Sequence, residues 1–492
     1  MSTFPSPTLQ NVTVNGTTTV LDSAGVSQPI TQGQLASTAT GKGAALVGFK
    51  QNATTAAVRT VLGRMLDWVN VKDFGAIGDG ATDDTTAFIN CLAYCQTAGK
   101  AMFLPDGTYL IDEVNYGHPA GAQFSPSIYG SGRNTTFIKK KTADGNPVFS
   151  VNSASSGGYT NVSIRDLTIT GITGNTAAGI LLTACVRCVI ANVNVANCVW
   201  GFADLGGITN QYRECIADTN TRGFNFDAAA APSNGQPNNC TMFKCISVNN
   251  TDSGIFFDYG RLLTIDTCDI EGNGTGLGAG AAGITVGANL TNGKLGVIIK
   301  NSWIEGNYVH AVQMASGVNS IEDTNFVANS ATNDINVTGG TYTLTNVLCE
   351  TTKAANLLEG AGVGAGNAIT NCTIPTSTID TSKTMVVGAN SQQMRGGDVP
   401  VIPSTAKPLI QYGSATPTTA GAVDITFPVA YAAAPLVIAS VMDVDATKVD
   451  CVQISSFTTT GFHAQVTQMT SGSTTVTAPN NTVNWVAIGH GV

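Results

Sequence analysis

The amino-acid sequence predicts an all-β protein built around a parallel β-solenoid, and three observations carry this prediction. A short segment recurs through the middle of the chain at intervals of 22 to 34 residues. A column of asparagines follows this segment at a constant offset. Only 11% of the 492 residues are charged and 55 are Gly, whereas an ordinary soluble domain has roughly 25% charged residues. These features favour stacked, turn-rich coils.

The recurring segment is five residues long. Its third and fifth residues are small or apolar and its second and fourth are often polar, which predicts a strand whose side chains alternately face inward and outward. The repeat is too short for two helices and suits one solenoid coil of three short strands. The nine predicted strands span residues 165–169, 191–195, 213–217, 243–247, 266–270, 300–304, 322–326, 345–349 and 370–374.

Cysteines occupy the inward third position on three successive coils, as Cys215, Cys245 and Cys268. Neighbouring strands are about 4.8 Å apart, so these thiols are expected to stack in the core as small hydrophobic groups. Cys91 and Cys95, four residues apart on a predicted helix, receive the same packing role. No His accompanies the cysteines at ligand spacing, so we predict no metal site and no cofactor.

Asparagines form a second column, three residues past five of the predicted strands. Asn tolerates the left-handed conformation of a tight turn, and its amide can bond the identical amide one coil further along. We therefore predict a structural ladder in left-handed turns. Its members are Asn220, Asn250, Asn273, Asn307 and Asn329.

The segment before the repeats predicts a capping helix. Asp83 or Asp84 can cap it and Gly99 can end it. Its expected buried face carries Phe88, Cys91, Leu92 and Cys95. The sequence VNVKDFGAIGDGATDD, which leads into this helix, resembles the opening signature of pectate-lyase-like right-handed β-helix proteins.

Residues 41–75 are similar to the junction that joins the virion-attachment region of bacteriophage tailspikes to their β-helix. The resemblance covers about residues 41–374. It implies an attachment region and junction at 1–68 and a right-handed parallel β-helix at 69–374. It also implies a homotrimer in the virion tail, assembled in the host cytoplasm, that contacts phage tail or baseplate proteins through its N-terminal region. Such proteins bind, and often cut, a bacterial surface polysaccharide.

The C-terminal part departs from the repeat. Prolines punctuate a predicted linker at 375–408, and alternating patterns predict a β-sandwich at 409–492. The phrases around Phe427 and Trp485 are similar to the C-terminal module of certain phage tail fibres, which implies trimerisation, glycan binding or both. Trp485 could be a sugar platform, but a core position is the preferred interpretation.

Charge and hydropathy exclude several classes of partner. The formal net charge of -9 argues against nucleic acid and anionic membranes, because both need positive potential. Lys139 to Lys141 form one basic run, interpreted as a solvated turn. No apolar stretch reaches the roughly 18 residues of a membrane span, and the first residues lack the features of a secretory signal. We expect no membrane insertion.

The best candidate site is an outward cluster of carboxylates. Glu271 and Glu305 occupy equivalent places in the phrases CDIEGN and SWIEGN, so their backbones should lie one strand spacing apart, about 4.8 Å. Asp269 lies two residues before Glu271, and Trp303 stands beside them. Paired carboxyls can act as general acid and as base or nucleophile in glycoside hydrolysis, and an exposed indole can stack on a sugar ring. Solvation of the surface or calcium binding is the alternative role for these acids.

A second candidate pair is Asp227 and Asp258, which end the matching phrases GFNFD and GIFFD, with Tyr259 and Arg261 as binding partners. A polysaccharide lyase acting by β-elimination is the nearest enzymatic alternative, with His310 and Arg261 as possible parts. A tail fibre that only recognises its receptor is the non-enzymatic alternative. Hydrolysis is preferred, since the acidic cluster would repel a uronate.

Overall fold

A computed structural model confirms an all-β protein with a parallel solenoid, a capping helix and a C-terminal sandwich. The predicted attachment region lies partly outside the described residues. The structure describes residues 17–21, 27–31, 36, 44, 47–117, 126–152, 161–228, 235–276, 278, 281–290, 295–329, 333–350, 352–353, 355–379, 383–387, 408–418, 421–441, 448–470, 476–477, 479 and 481–490.

The described elements before the solenoid are short. Two antiparallel pairs are formed by Thr17–Leu21 with Ser27–Thr31 and by Gly48–Phe49 with Arg59–Thr60. The helix Val61–Met65 follows, with its N-terminus capped by the Thr60 side chain. Several apolar side chains of this stretch are exposed: Val58, Leu62, Met65, Leu66 and Trp68.

The solenoid has three faces, each a stack of parallel strands. The first face contains Val69–Asn70, Met102–Leu104, Ile128–Gly130, the first halves of Ser163–Thr170 and Val189–Ala196, Gln211–Arg213, Asn238–Phe243, Arg261–Asp266, Leu295–Lys300, Val318–Glu322, the second half of Asn333–Thr345, Asn367–Thr370 and Thr384–Val387. The second face contains Asp79–Asp83, Gly107–Ile111, Thr136–Lys140, the second halves of Ser163–Thr170 and Val189–Ala196, Ile216–Asp218, Ile246–Val248, Asp269–Glu271, Trp303–Glu305, Asn325–Val327 and Leu348–Cys349. The third face contains Val114–Gly117, Phe149–Asn152, Ala178–Thr183, Trp200–Leu205, Arg222–Asp227, Ile255–Phe257, Ile284–Val286, His310–Met314, the first half of Asn333–Thr345, Leu357–Val363 and Ser377–Thr378.

Two of these strands, Ser377–Thr378 and Thr384–Val387, continue the stacks past residue 374, where the repeat was expected to stop.

Each predicted five-residue strand spans a corner between the first and second faces. In the first two repeats the segment lies within the bent strands Ser163–Thr170 and Val189–Ala196, as predicted, and in the other seven it joins a first-face strand to the second face. In all nine repeats the second residue has a positive φ, between 45° and 62°, and turns the chain from one face to the next. The prediction of inward third and fifth residues is confirmed, because all are buried except Ile374, which is partly buried. Short polar residues dominate the turning position since they adopt the left-handed conformation most readily.

The asparagine ladder is confirmed, but its residues are not left-handed. The amide of Asn250 donates to Asn273 Oδ1 at 2.8 Å, and the amide of Asn273 donates to Asn307 Oδ1 at 3.1 Å. The positive φ falls one residue earlier, for example at Asn249 with 57° and at Gly272 with 62°. The turn thereby points each ladder amide into the core, where all five asparagines are buried.

The cysteines pack in the core as predicted: eleven are buried and only Cys451 is exposed. Burial is the main reason why the pKa values of the Cys240 and Cys245 thiols lie well above the usual value. In the part of the chain that the structure describes, no group of three His, Cys, Asp or Glu side chains could hold a metal ion.

We expect that iodoacetamide without denaturant will modify Cys451 alone, because the reagent cannot reach the eleven buried thiols. Mass spectrometry of the digested protein measures this, and labelling in guanidinium, where all twelve should react, is the control. Modification of Cys215, Cys245 or Cys268 in the folded protein would contradict the core assignment.

The predicted capping helix is Thr85–Ala98, and Gly99 ends it with a φ of 64°. Its predicted buried face is confirmed. Asp84 is the N-cap residue, but its carboxylate accepts hydrogen bonds from the backbone of Ile77 and Gly78 instead of capping the helix. Asp83 accepts a hydrogen bond from the Thr85 backbone N–H at 3.0 Å.

The prediction of a solvated basic turn at Lys139 to Lys141 is wrong. Lys140 ends the strand Thr136–Lys140, and its buried ammonium lies 2.9 Å from Asp144. Lys141 lies 2.8 Å from Asp83 and 2.9 Å from Asp112. The ion pair with Asp83 links this segment to the end of the strand Asp79–Asp83, just before the capping helix.

The C-terminal module is a β-sandwich of two antiparallel sheets, as predicted. Trp485 is buried between them, which confirms its core position. The three-stranded sheet contains Pro408–Ala415, Val483–His490 and Leu436–Val441, and the four-stranded sheet contains Ala422–Thr426, Gly461–Thr470, Lys448–Ser455 and Val476–Thr477.

Candidate functional site

The second face brings the predicted carboxylates together. Asp269–Glu271 and Trp303–Glu305 are neighbouring parallel strands, with Glu271 opposite Glu305 and Asp269 opposite Trp303. Opposite residues on such strands have backbones about 4.8 Å apart. The four outward side chains therefore share one patch, which we call the acidic patch.

Asp269 has the most perturbed environment of the acidic patch. Its Oδ1 atom is buried and has no hydrogen-bond partner. Burial, followed by repulsion from Glu271 and Glu305, raises the pKa of the Asp269 carboxyl above its usual value. A carboxyl in this environment holds a proton at higher pH than an ordinary aspartate, which is the property of a general acid.

Trp303 and Glu305 are joined by a hydrogen bond. The indole Nε1–H donates to Glu305 Oε2 at 2.7 Å, while 40% of the Trp303 surface remains exposed. The bond fixes the orientation of both side chains and keeps Glu305 near Asp269. The exposed indole can offer an apolar surface to a sugar ring.

The coil before the acidic patch is apolar on its outer side. Ile246 is opposite Asp269 and Val248 is opposite Glu271, and both are partly buried. The nearby cation Lys300 belongs to the first face, where it lies 3.2 Å from Asp266. Asp269 therefore has apolar Ile246 on one side and Trp303 on the other.

The second candidate pair, Asp227 and Asp258, lies on the third face, and Asp258 is more buried and more hydrogen-bonded than the acids of the acidic patch. Asp258 is buried and accepts hydrogen bonds from the backbone N–H groups of Tyr259 and Asn289 and from the Asn289 amide. Burial, with a contribution from Asp258, raises the pKa of Asp227. Arg222 partly counters this rise.

The predicted binding residues of that pair are exposed and lie on different elements. Tyr259 occupies a left-handed turn after the third face, and Arg261 begins the next first-face strand. His310 lies on the third face, beyond the asparagine corner from Glu305, and burial lowers its pKa. The structure therefore does not place His310 in the acidic patch.

Sequence reasoning missed a buried carboxylate. Asp204 accepts hydrogen bonds from the Asn210 amide at 2.9 Å and the Tyr212 hydroxyl at 3.1 Å. Burial raises its pKa to about 6. Its side chain points into the core, so its role is structural. The phrase WGFADL offers one signal, an acid at an inward position of a strand.

The described residues thus form a long parallel β-helix with a helical cap at its start and a separate β-sandwich after it. Models of two known families match parts of the chain. Residues 68–279 match the family described as rhamnogalacturonase A/epimerase, pectate lyase-like. Residues 408–490 match the putative tail fiber protein gp53-like, C-terminal family. The chain thus combines a pectate-lyase-like β-helix with a tail-fibre-type C-terminal module.

Among curated proteins, mannuronan C5-epimerase AlgE3 of Azotobacter vinelandii is 35% identical over 115 residues, which are 22% of this chain and 6% of the relative. Alginate lyase 7 of the same organism is 33% identical over 111 residues, 22% of this chain and 13% of the relative. The matches thus span only a small part of these relatives.

Two solved structures share the fold. The AlgE4 A-module of Azotobacter vinelandii superposes with a TM-score of 0.51 and 18% identity, over 65% of this chain and 96% of that one. Full-length tailspike protein 2 of the Escherichia coli O157:H7 bacteriophage CAB120 has a TM-score of 0.51 and 12% identity, over 90% of this chain and 65% of that one.

In the described part of the chain, no helix is long and apolar enough to cross a membrane.

Proposed function

We propose that this protein is a phage tailspike that adsorbs to its host and hydrolyses a bacterial surface polysaccharide at the acidic patch. The environment of Asp269 carries the proposal: a carboxyl with one buried, unpartnered oxygen stands beside two further acids and an exposed indole. The tailspike-like fold and the tail-fibre-type C-terminal module support the biological setting.

We propose a role for each side chain of the acidic patch. Asp269, whose carboxyl pKa is raised by burial and by the neighbouring acids, is the proposed proton donor to the glycosidic oxygen of the leaving sugar. Glu271, the exposed acid, acts as nucleophile or as base for water. Glu305, held by the Trp303 indole, is the proposed group that stabilises positive charge developing on the sugar ring. Trp303 supports the ring on its apolar surface.

The test uses the full-length protein and a panel of purified capsules, exopolysaccharides and O-antigens. Hydrolysis produces new reducing ends without new double bonds, whereas β-elimination produces absorbance from unsaturated sugars. A spot of protein on lawns of the source bacteria should leave a halo wherever its polysaccharide is cleaved. A gain of absorbance would contradict the proposed hydrolysis. Binding of a polysaccharide without either product would show that the protein only recognises its receptor.

A lyase acting on the third face is the second candidate function. The short matches to an epimerase and a lyase named for uronate polymers favour it, as does the position of the Arg222 guanidinium near Asp227. Arg222 is fixed by Asp252 at 2.8 Å and lies 3.8 Å from the Phe256 ring centre. Such a guanidinium could neutralise a uronate carboxylate.

The remaining parts of the tailspike role are proposals of the same kind. The chain is expected to form a homotrimer in the virion tail after assembly in the host cytoplasm. Residues 1–68 are expected to contact tail or baseplate proteins. We propose that the β-helix, which begins at residue 69 and includes the strands Ser377–Thr378 and Thr384–Val387 beyond the expected boundary at 374, carries catalysis, and that residues 409–492 serve assembly or glycan binding.

The pH profile of cleavage should depend on Glu305. Activity is expected to fall as the pH rises through the raised pKa of Asp269, because the ionised acid cannot donate a proton. Glu305→Gln removes one of the neighbouring charges that raise this pKa, so the alkaline limb of the residual activity should move to lower pH. Initial rates of reducing-end release from pH 4 to 9 measure the shift. An alkaline limb at the same pH in Glu305→Gln would contradict the proposal that Glu305 raises the pKa of the general acid.

A further inference from the structure

Basic and aromatic side chains gather along one edge of the solenoid, where the first face meets the second. Strand pairing places one outward residue from each of five successive coils in a single row. These residues are Tyr129, Arg165, Ala191, Arg213 and Phe243. Arg165 and Arg213 are exposed, and Phe243 is 39% exposed. The row therefore presents guanidinium groups and rings to solvent.

Two further cations reach this row from the corner itself. Lys244 occupies a left-handed turning position, and its Nζ lies 5.3 Å from the centre of the Phe243 ring. Arg133 belongs to an earlier coil, but its guanidinium donates to the Glu214 carbonyl oxygen at 3.2 Å and so lies at the same corner. We call this cluster the basic corner. Its members are Arg133, Arg165, Arg213, Lys244 and the rings of Tyr129 and Phe243.

The positive charge of the basic corner is only partly compensated. Among the described residues, Arg165 is the one cation of the corner with an ion pair, at 3.8 Å from Asp166. Glu214 is exposed beside them, so four cations face two acids. By contrast, Lys300, further along the same row, lies 3.2 Å from its neighbour Asp266. In a protein with a net charge of -9, the corner is thus a local region of positive potential that attracts anions.

The chemistry of the basic corner suits an acidic sugar. A guanidinium offers paired N–H donors in a plane, the geometry that matches a carboxylate. Two contacts restrain these groups: Arg165 Cζ lies 4.0 Å from the centre of the Tyr129 ring, and Arg213 donates to the Gln211 side chain. The exposed ring of Phe243 offers an apolar surface to the C–H groups of a sugar.

The basic corner and the acidic patch lie on the same edge of the solenoid. Asp269 follows the turning residue Thr267 by two positions, as Ile246 follows Lys244 on the preceding coil. Arg213 lies two coils before the strand of Asp269, which is about 10 Å along the solenoid axis. A polysaccharide that follows this edge can therefore contact both clusters.

We propose that the basic corner binds a carboxylate-bearing sugar of the polysaccharide while a neutral sugar of the same chain occupies the acidic patch. The inference rests on the proposed function and adds the substrate class, a polymer whose repeating unit contains both acidic and neutral sugars. The corner attracts the carboxylate and the acids of the patch repel it. The two charges together fix the register of the polymer and hence the bond that is cleaved.

The first experiment compares two forms of one polysaccharide, chosen from the panel because the wild type binds it. Reduction with carbodiimide and borohydride converts its carboxyl groups to hydroxymethyl groups and gives a matched neutral probe. We expect the double variant Arg213→Gln/Lys244→Gln to bind the native polymer about tenfold more weakly than the wild type does. Both proteins should bind the reduced polymer equally.

The matched control is Arg187→Gln/Lys50→Gln, which removes the same charge from exposed positions outside the basic corner and should bind like the wild type. Circular dichroism checks that all variants fold. Unchanged binding by Arg213→Gln/Lys244→Gln, an equal loss in the control, or a difference that persists on the reduced polymer would overturn the inference. Cleavage of a polymer without carboxylates would also overturn it and would uphold the proposed function. If the wild type binds no polymer of the panel, both fail.

The salt dependence of binding provides a second measurement. Ions screen exposed charges, so raising NaCl from about 0.05 to about 0.5 M should weaken binding of the wild type to the native polymer. The loss should be smaller for Arg213→Gln/Lys244→Gln, because fewer charges remain to be screened. The same salt dependence in both proteins would show that these cations do not contact the polymer and would overturn the inference.

Discussion

Asp269→Asn should reduce polysaccharide cleavage by about 10³-fold while leaving polysaccharide binding unchanged. Asn has nearly the same shape but cannot donate an acid proton, and general acid catalysis contributes about 10² to 10⁴ in rate. Glu271→Gln should cause a comparable loss because it removes the nucleophile or base. Release of reducing ends measures the rate, and co-sedimentation with the intact polysaccharide measures binding.

The matched control is Glu350→Gln. Glu350 is an exposed acid that follows the second-face strand Leu348–Cys349, on a coil beyond Glu305. Its substitution removes the same charge from the same face and should leave the rate within about twofold. If Asp269→Asn and Glu271→Gln both keep full activity, the acidic patch is not the catalytic site. Loss of activity in Asp227→Asn would then assign cleavage to the third face.

The coil period and the inward residues could be predicted because both depend on local side-chain pattern. Burial selects small or apolar residues at every second position, and stacking repeats that selection on each coil. The position of the turn could not be read in the same way. Many residue types, including Glu214 and Lys244, occupy the left-handed corner, so no single residue type marks it.

The acidic patch could be predicted from equivalent positions in two repeats, but its electrostatics could not. Stacking alone places Glu271 opposite Glu305, whereas the burial of Asp269 Oδ1 depends on how neighbouring side chains pack. Likewise, the equivalence of Asp227 and Asp258 is visible in sequence. The hydrogen bond from the Asn289 amide to Asp258, however, joins two successive coils. No local sequence pattern indicates such a long-range contact.

The largest effect on stability is expected from Asn273→Ala, in the middle of the asparagine ladder. Asn273 Oδ1 accepts from the Asn250 amide at 2.8 Å, and its own amide donates to the Ser247 carbonyl at 2.9 Å and to Asn307 Oδ1 at 3.1 Å. The site is fully buried, so water cannot replace these bonds without entering the core. Each buried polar group left without a partner costs about 1 to 3 kcal/mol. We therefore expect a loss of about 3 to 5 kcal/mol.

Asn249→Gly is the matched control, since Asn249 precedes the ladder residue of the adjacent coil but is exposed and has a φ of 57°. Glycine adopts this conformation without strain, so its substitution should change stability by less than about 1 kcal/mol. Thermal unfolding followed by circular dichroism should show a clear fall in midpoint for Asn273→Ala alone. Equal midpoints in the two variants would mean that stacking of the apolar core, and not the amide ladder, holds neighbouring coils in register.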